Sequence, residues 1–176
     1  MSEKRLYFGT DGVRAVANIH PMTPEFVLRL GQAAAVGLGG QTEGGERPRC
    51  VLGRDTRASG EMFEAALIAG LNSAGVDVVL AGVVPTPAVA MLTAQTGASF
   101  GVIVSASHNP FKDNGIKFVH GNGRKLNDKT EIAIEKIVLG EAAEAPRPLG
   151  RGIGRVTKMA DAAGRYIAHP IGSMGG

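Results

Sequence analysis

Phe100-Gly101-Val102-Ile103-Val104-Ser105-Ala106-Ser107-His108-Asn109-Pro110 is the stretch from which the fold can be read. The Val/Ile-rich run predicts a buried strand, and Asn-Pro followed by Asn114-Gly115 marks turns before apolar residues resume over 116–119. Ser107 therefore falls on a tight turn just past a strand end. Open α/β sheets bind ligands outside the carboxyl ends of their strands, so this turn is the first place to look for chemistry. Ser105 lies closer to the strand than Ser107.

The adjacent Ser107 and His108 do not form a hydrolase pair. Neighbours on an extended backbone point to opposite sides, so His108 is badly placed as the base for Ser107, and the G-x-S-x-G elbow is missing. A serine that carries a phosphoryl group, with cations balancing its roughly two negative charges, suits the stretch better.

Working outward, strand and helix signals alternate. Thr23 (N-cap), Pro24 and Glu25 open a helix with Phe26, Val27, Leu30 and Ala34 on its apolar face, and Gly39-Gly40 stop it. Residues 41–48 read as an exposed loop. A strand over 49–52 leads to Gly53-Arg54-Asp55-Thr56-Arg57, where the two arginines either hold a phosphate or pair with Asp55, the pairing being favoured. Ser59 is the expected cap of the next helix, whose core positions are Met62, Phe63, Ala66, Leu67 and Leu71. A strand over 76–80 and a helix opened by Pro85-Thr86-Pro87 precede the serine strand. Residues 116–119 follow a connection too short for a helical crossover, so that strand should run antiparallel, at an edge. Asp128 with Glu131 fits the cap of a helix carrying Ile132, Ile134, Ile137 and Val138.

The pattern predicts a three-layer α/β/α domain over 1–150, with a mixed, mostly parallel sheet and one antiparallel edge strand. Residues 151–176 read as a linker and the truncated start of a second domain. At 176 residues and 44% hydrophobic content, one domain with a real core fits and two full domains do not. The formal charge of +3 and the lack of a basic run exclude nucleic acid as a first guess. Cys50, the only cysteine, reads as a buried strand residue and allows no disulfide within the chain. No leader segment and no run of 18 apolar residues appear, so a soluble cytoplasmic protein with no membrane partner is expected. Gly150-Arg151-Gly152-Ile153-Gly154 lacks the spacing and the leading strand of a dinucleotide fingerprint.

Phe8-Gly9-Thr10-Asp11-Gly12-Val13-Arg14, Gly53-Arg54-Asp55-Thr56-Arg57, Pro85-Thr86-Pro87, the Ser107 stretch and Asn114-Gly115-Ile116-Lys117, in that order, resemble the first domain of the α-D-phosphohexomutases. Within that superfamily the chain looks most like the bacterial phosphoglucosamine mutases. The resemblance covers about residues 5 to 170. It implies an isomerase-class phosphotransferase in which Ser107 is phosphorylated and exchanges phosphate with a hexosamine phosphate through a sugar bisphosphate. The route converts glucosamine 6-phosphate to glucosamine 1-phosphate, a step toward amino-sugar and cell-wall precursors. It implies Mg²⁺, with the Ser107 phosphate as one ligand. It places Arg14 and Lys117 beside that phosphate with His108 assisting, and Thr10, Arg54 and Asn109 as expected contacts to substrate or phosphate. The metal loop and sugar loops of the family lie in domains II–IV, which are expected as partners, so the isolated chain should be inactive. A homodimer, a phosphomannomutase or phosphoglucomutase, and a non-catalytic interaction module stay open as alternatives. Ala15 stands where the family usually has Gly, which matters if that position needs a positive φ.

Overall fold

The computed structural model describes residues 5–39 and 46–173, with side chains to residue 168. The elements run β1 (Phe8–Gly9), β2 (Gly12–Val16), α1 (Pro24–Gly39), β3 (Arg49–Arg54), α2 (Gly60–Ser73), β4 (Asp77–Val83), α3 (Thr86–Thr96), β5 (Phe100–Val104), β6 (Asp113–His120), α4 (Asp128–Val138), β7 (Val156–Lys158) and α5 (Ala162–Ser173). Gly40 and 41–45, most of the loop expected over 41–48, lie outside the described residues.

The sheet order is β1-β2-β6-β5-β3-β4-β7. The β3, β4, β5 and β7 strands are parallel, while β6 runs antiparallel to β5, β2 to β6 and β1 to β2. Three layers and a mixed sheet are what the alternation predicted. The position of β6 is not: it runs antiparallel as expected but sits inside the sheet, because the short β1–β2 hairpin continues the sheet beyond it. One antiparallel edge strand is thus corrected to three antiparallel ladders at one end of the sheet.

Side-chain alternation divides the core in two. Leu52, Val102, Val104 and Ile116 face α1, α2 and α4 and pack with Leu30, Phe63 and Ile134. Val51, Ile103 and Val119 face α3 and α5 and pack with Val89 and Leu92. Each fully buried side chain of this size contributes roughly 1.5–3 kcal/mol, so these two layers fix strand register. Cys50 is completely buried on β3, and burial pushes its thiol far up, which leaves it unreactive. Ala15 pairs with Asn114 in ordinary strand geometry and does not share the positive φ of Asn18, Ser107 and Asp161. Alanine there imposes no backbone strain.

Two helix starts differ from expectation. Ser59 has helical backbone angles (φ −74°, ψ −6°) and makes no side-chain cap; its Oγ accepts from Asn114 Nδ2 at 2.9 Å. The cap of α4 is Asn127, not Asp128, and its side chain accepts from the Thr130 N–H at 2.9 Å. Asn127 is still extended (φ −86°, ψ 161°), the backbone an N-cap needs, whereas Asp128 is already helical. Among the described residues, no helix is long and apolar enough to cross a membrane.

Two acidic residues of α4 turn inward. Glu131 pairs with Arg5, and the Glu135 carboxylate accepts the N–H groups of Leu6 (2.8 Å), Tyr7 (2.6 Å) and Phe8 (2.6 Å). Glu135 is 5% exposed, so it serves as the hydrogen-bond partner of a strand end that has no further strand beside it. Glu135→Ala is expected to lower stability by about 3–5 kcal/mol, since three part-buried donors lose a charged acceptor together. A melting curve on the purified protein should fall by on the order of 10 °C. Glu135→Gln, which keeps one acceptor oxygen, should lose about half as much, and equal melting of wild type and Glu135→Ala would refute this role.

Candidate active site

Val104 ends β5, and the next residues climb out of the core. Ser105 is buried, with its N–H donating to the Gly115 carbonyl at 2.8 Å, so it still belongs to the ladder. Ser107 is exposed and holds φ at +58°, a left-handed conformation that costs a residue with a Cβ about 1–2 kcal/mol. Its N–H donates to Ser105 Oγ at 3.0 Å. The turn expected from the sequence thus exists, and it lifts the Ser107 hydroxyl outside the carboxyl end of β5.

The turn is closed by Asn109, whose N–H donates to the Ala106 carbonyl at 3.1 Å and whose Nδ2 donates to Asp113 at 3.0 Å. It is also closed from outside by Arg57. The Arg57 Nε donates to Asp55 at 3.0 Å, Nη1 to the carbonyls of Pro110 (2.6 Å) and Asp113 (3.0 Å), and Nη2 to those of Ser107 (3.0 Å) and Asn109 (2.8 Å). The pairing with Asp55 favoured from the sequence is present. The four carbonyl bonds were not foreseeable, because they depend on the β3 loop lying beside the β5 loop. Asp55, Thr56, Arg57, Ser107, Asn109 and Phe111 line one shallow hollow.

A second group gathers on the β1–β2 turn. Asp11 binds Arg14 Nη2 at 2.5 Å and Lys117 Nζ at 2.7 Å. Lys117 is only 7% exposed, which makes it a buried ammonium whose partner is this carboxylate. Burial pushes the Asp11 carboxyl up, but Lys117 and Arg14 outweigh that and hold it below its ordinary value. Arg14 Nε is buried and has no hydrogen-bond partner among the described residues. Thr10 is exposed in the same turn, and its carbonyl accepts from Lys125 Nζ. Thr10, Asp11 and Arg14 line a hollow with Tyr7 and Gly12.

Gly115 lies between the Ser105 end of β5 and Arg14 of β2. A methyl group there would come within 2.8 Å of the Ser105 carbonyl oxygen and 2.9 Å of Arg14 Cγ, so backbone and side chain close over the position from opposite strands. Gly12, at φ +81°, lets the turn carrying Asp11 lie directly on the Ile116 carbonyl for the same reason. Close approach of backbone is the use of glycine here.

The structure therefore brings Ser107 and Asn109 to one hollow and Arg14, Lys117 and Thr10 to the adjoining turn, while His108 sits exposed on the serine loop. Arg54 goes elsewhere. Its guanidinium pairs with Glu61 (2.9 Å) and Glu64 (3.6 Å) in a separate hollow with Gly82 and Lys158. Asp11 is the residue of the site whose part the sequence did not assign, being visible only as a carboxylate inside a glycine-rich loop; for Arg57 the pairing with Asp55 was read, and its hold on the serine turn was not.

The family model described as phosphoglucomutase/phosphomannomutase, alpha/beta/alpha domain I, matches residues 5–145. The chain is 54% identical over 162 residues to a phosphoglucosamine mutase of Rhodococcus opacus, covering 92% of this chain and 36% of that protein. It is 52% identical over 168 residues to one of Moorella thermoacetica, covering 96% and 37%. The chain thus spans about a third of the length of these relatives. Among solved structures, a phosphoglucomutase/phosphomannomutase family protein of Burkholderia thailandensis superposes with a TM-score of 0.73 at 28% identity, covering 94% of this chain and 35% of that one. With that superposition and a family match over residues 5–145, this chain belongs to the phosphoglucomutase/phosphomannomutase family, as its alpha/beta/alpha domain I.

Proposed function

We propose that this chain is the phosphoserine domain of a phosphoglucosamine mutase, and that Ser107 carries the phosphoryl group. The observation that carries the reading is the left-handed, exposed Ser107 just past the end of β5, with Lys117 on the neighbouring strand β6 sharing Asp11 with Arg14. The sugar is argued from kinship: identity is about 50% to proteins named phosphoglucosamine mutase and 28% to the solved phosphoglucomutase/phosphomannomutase family protein.

In this reading, phosphoserine 107 gives its phosphoryl group to a hydroxyl of glucosamine 6-phosphate. The Ser107 Oγ–P bond breaks and a sugar O–P bond forms, which yields the bisphosphate. Lys117 supplies a proton to the departing serine oxygen while the attacking sugar hydroxyl releases its own to solvent, and both proton transfers reverse when the bisphosphate, turned over, returns its other phosphate. Arg14 offsets the charge spread over the transferring oxygens. Asn109 and Arg57 act on the loop, and Thr10 and His108 are candidate substrate contacts at the two rims. Arg54, paired with two glutamates, is a poorer candidate for phosphate than the sequence indicated.

Mg²⁺, when bound to the phosphoserine, neutralises phosphoryl charge. Among the described residues no group of three or more His, Cys, Asp or Glu side chains is placed to hold a metal ion. Asp55 and Asp113 already accept from Arg57 and Asn109. This chain fits one ligand position, the Ser107 phosphate, and does not by itself fit a whole site. The remaining ligands and the sugar loops belong to further domains; the boundary expected near residue 150 moves onward, because β7 pairs with β4 in this sheet and Ala162 of α5 packs in its core. A cytoplasmic setting completes the proposal.

The direct test is incubation of the complete enzyme with a hexose bisphosphate followed by mass spectrometry of the peptide spanning 100–120. One phosphate on Ser107 is expected. Phosphate on Ser105, or none on this peptide with turnover intact, would remove Ser107 as the carrier.

A further inference from the structure

Arg57 is a side chain that sequence reading leaves between two roles, an anion binder or a partner of Asp55. Its side chain is 10% exposed, and all five of its guanidinium N–H donors are spoken for: one by Asp55 and four by backbone carbonyls of residues 107, 109, 110 and 113. A guanidinium with no donor left cannot bind phosphate without giving up one of these bonds. We propose that Arg57 is the positioning residue of the serine turn: it holds the Ser107 carbonyl, and so keeps Ser107 in its left-handed conformation with the hydroxyl presented for phosphoryl transfer.

The geometry supports this from both ends of the residue. The Ser107 peptide N–H is fixed on Ser105 Oγ at 3.0 Å and its carbonyl on Arg57 Nη2 at 3.0 Å, so both peptide groups flanking the strained φ are tied. Asp55 in turn anchors the clamp. Its Oδ1 accepts the Arg57 N–H at 3.0 Å, and its own N–H donates to the Val104 carbonyl at 3.1 Å. The clamp therefore hangs from the last residue of the strand that delivers the serine. The carbonyls of Ser107, Asn109 and Pro110 lie in the loop between β5 and β6, and a planar fork reaches these three and that of Asp113 where an ammonium, a point donor, cannot. Loss of the fork frees the turn to relax toward ordinary φ, which moves Oγ away from the line of transfer. A displacement of about 1 Å at a reacting atom costs on the order of 10²-fold in rate.

The inference rests on the mutase reading for its kinetic part only. In the complete enzyme, Arg57→Lys keeps the charge beside Asp55 and removes the fork. Hydrogen–deuterium exchange of the peptide spanning 105–115 should quicken by at least ~10-fold, kcat should fall ~10²-fold, and KM for glucosamine 6-phosphate should stay within about twofold. Asp55→Asn, which weakens the anchor and leaves the four carbonyl bonds, should give a smaller change of the same kind and serves if Arg57→Lys folds poorly. Unchanged exchange in both variants would overturn the clamp. A raised KM with kcat unchanged would make Arg57 a substrate contact instead, and quickened exchange with kcat unchanged would show that the turn does not need it. Should Ser107→Ala retain turnover, Ser107 is not the carrier and the kinetic part of the inference falls, while the exchange measurement still decides whether Arg57 holds the loop.

Discussion

Ser107→Ala in the complete enzyme is expected to lower turnover of glucosamine 6-phosphate on the order of 10⁴- to 10⁶-fold, as loss of a covalent carrier does elsewhere. Under the proposed function, the substitution removes the oxygen that would receive and return the phosphoryl group and, with it, the one metal ligand this chain would offer. Folding should be little disturbed, because the side chain is exposed and alanine tolerates the same backbone no worse than serine. Ser105→Ala is the informative contrast. Ser105 is buried and its Oγ accepts the Ser107 N–H at 3.0 Å, so its loss removes one support of the turn and should cost about tenfold. Steady-state assays on both variants check the prediction. Near-normal turnover with Ser107→Ala, or a larger defect with Ser105→Ala, would reverse the assignment.

Lys117→Ala should lower turnover by ~10²- to 10⁴-fold, the range of a lost general acid or base. The ammonium lies 2.7 Å from Asp11 and is 7% exposed, so alanine also leaves Asp11 with Arg14 as its remaining partner in that pair of contacts. Lys117→Arg separates the two contributions. Arginine restores the charge beside Asp11 but cannot give up a proton near neutral pH. If Lys117 moves the serine proton, Lys117→Arg stays within about tenfold of Lys117→Ala; recovery to near wild-type turnover would show that only charge is needed and would remove the proton-transfer step proposed above.

The serine turn was legible because its signals are local: a Val/Ile run, Asn-Pro, Asn-Gly, and a hydroxyl between them. The same holds for α1, where Thr23 and Pro24 set the start and Thr23 Oγ1 accepts the Phe26 N–H at 3.4 Å. It holds for α3, which ends at Gly97 in the left-handed conformation at φ +62°. The hairpin of β1 and β2 was less visible, since a strand of two residues and a glycine-rich turn carry little periodicity, and nothing local marks Gly12–Val16 as a second strand. Missing the hairpin is what put β6 at an edge. The inward face of α4 was hidden for a different reason: Glu131 and Glu135 carry the spacing of a solvated stripe, and only Arg5 and the peptide groups of residues 6–8 make them interior.

Sequence by itself determined the α/β alternation, the strand-end place of Ser107, the buried Cys50 and the family resemblance, because periodicity, turn residues and motif order are properties of short stretches. Only the tertiary structure decided which charges belong to the site. Arg54 and Arg57 stand three apart on one loop, yet one turns to Glu61 and Glu64 and the other to the carbonyls of the serine turn. Asp11 meets Lys117 across 106 positions of chain only because β2 lies against β6 in one register. A charged side chain has no periodicity to reveal its partner; the partner is set by which backbone the folded sheet brings within hydrogen-bond reach.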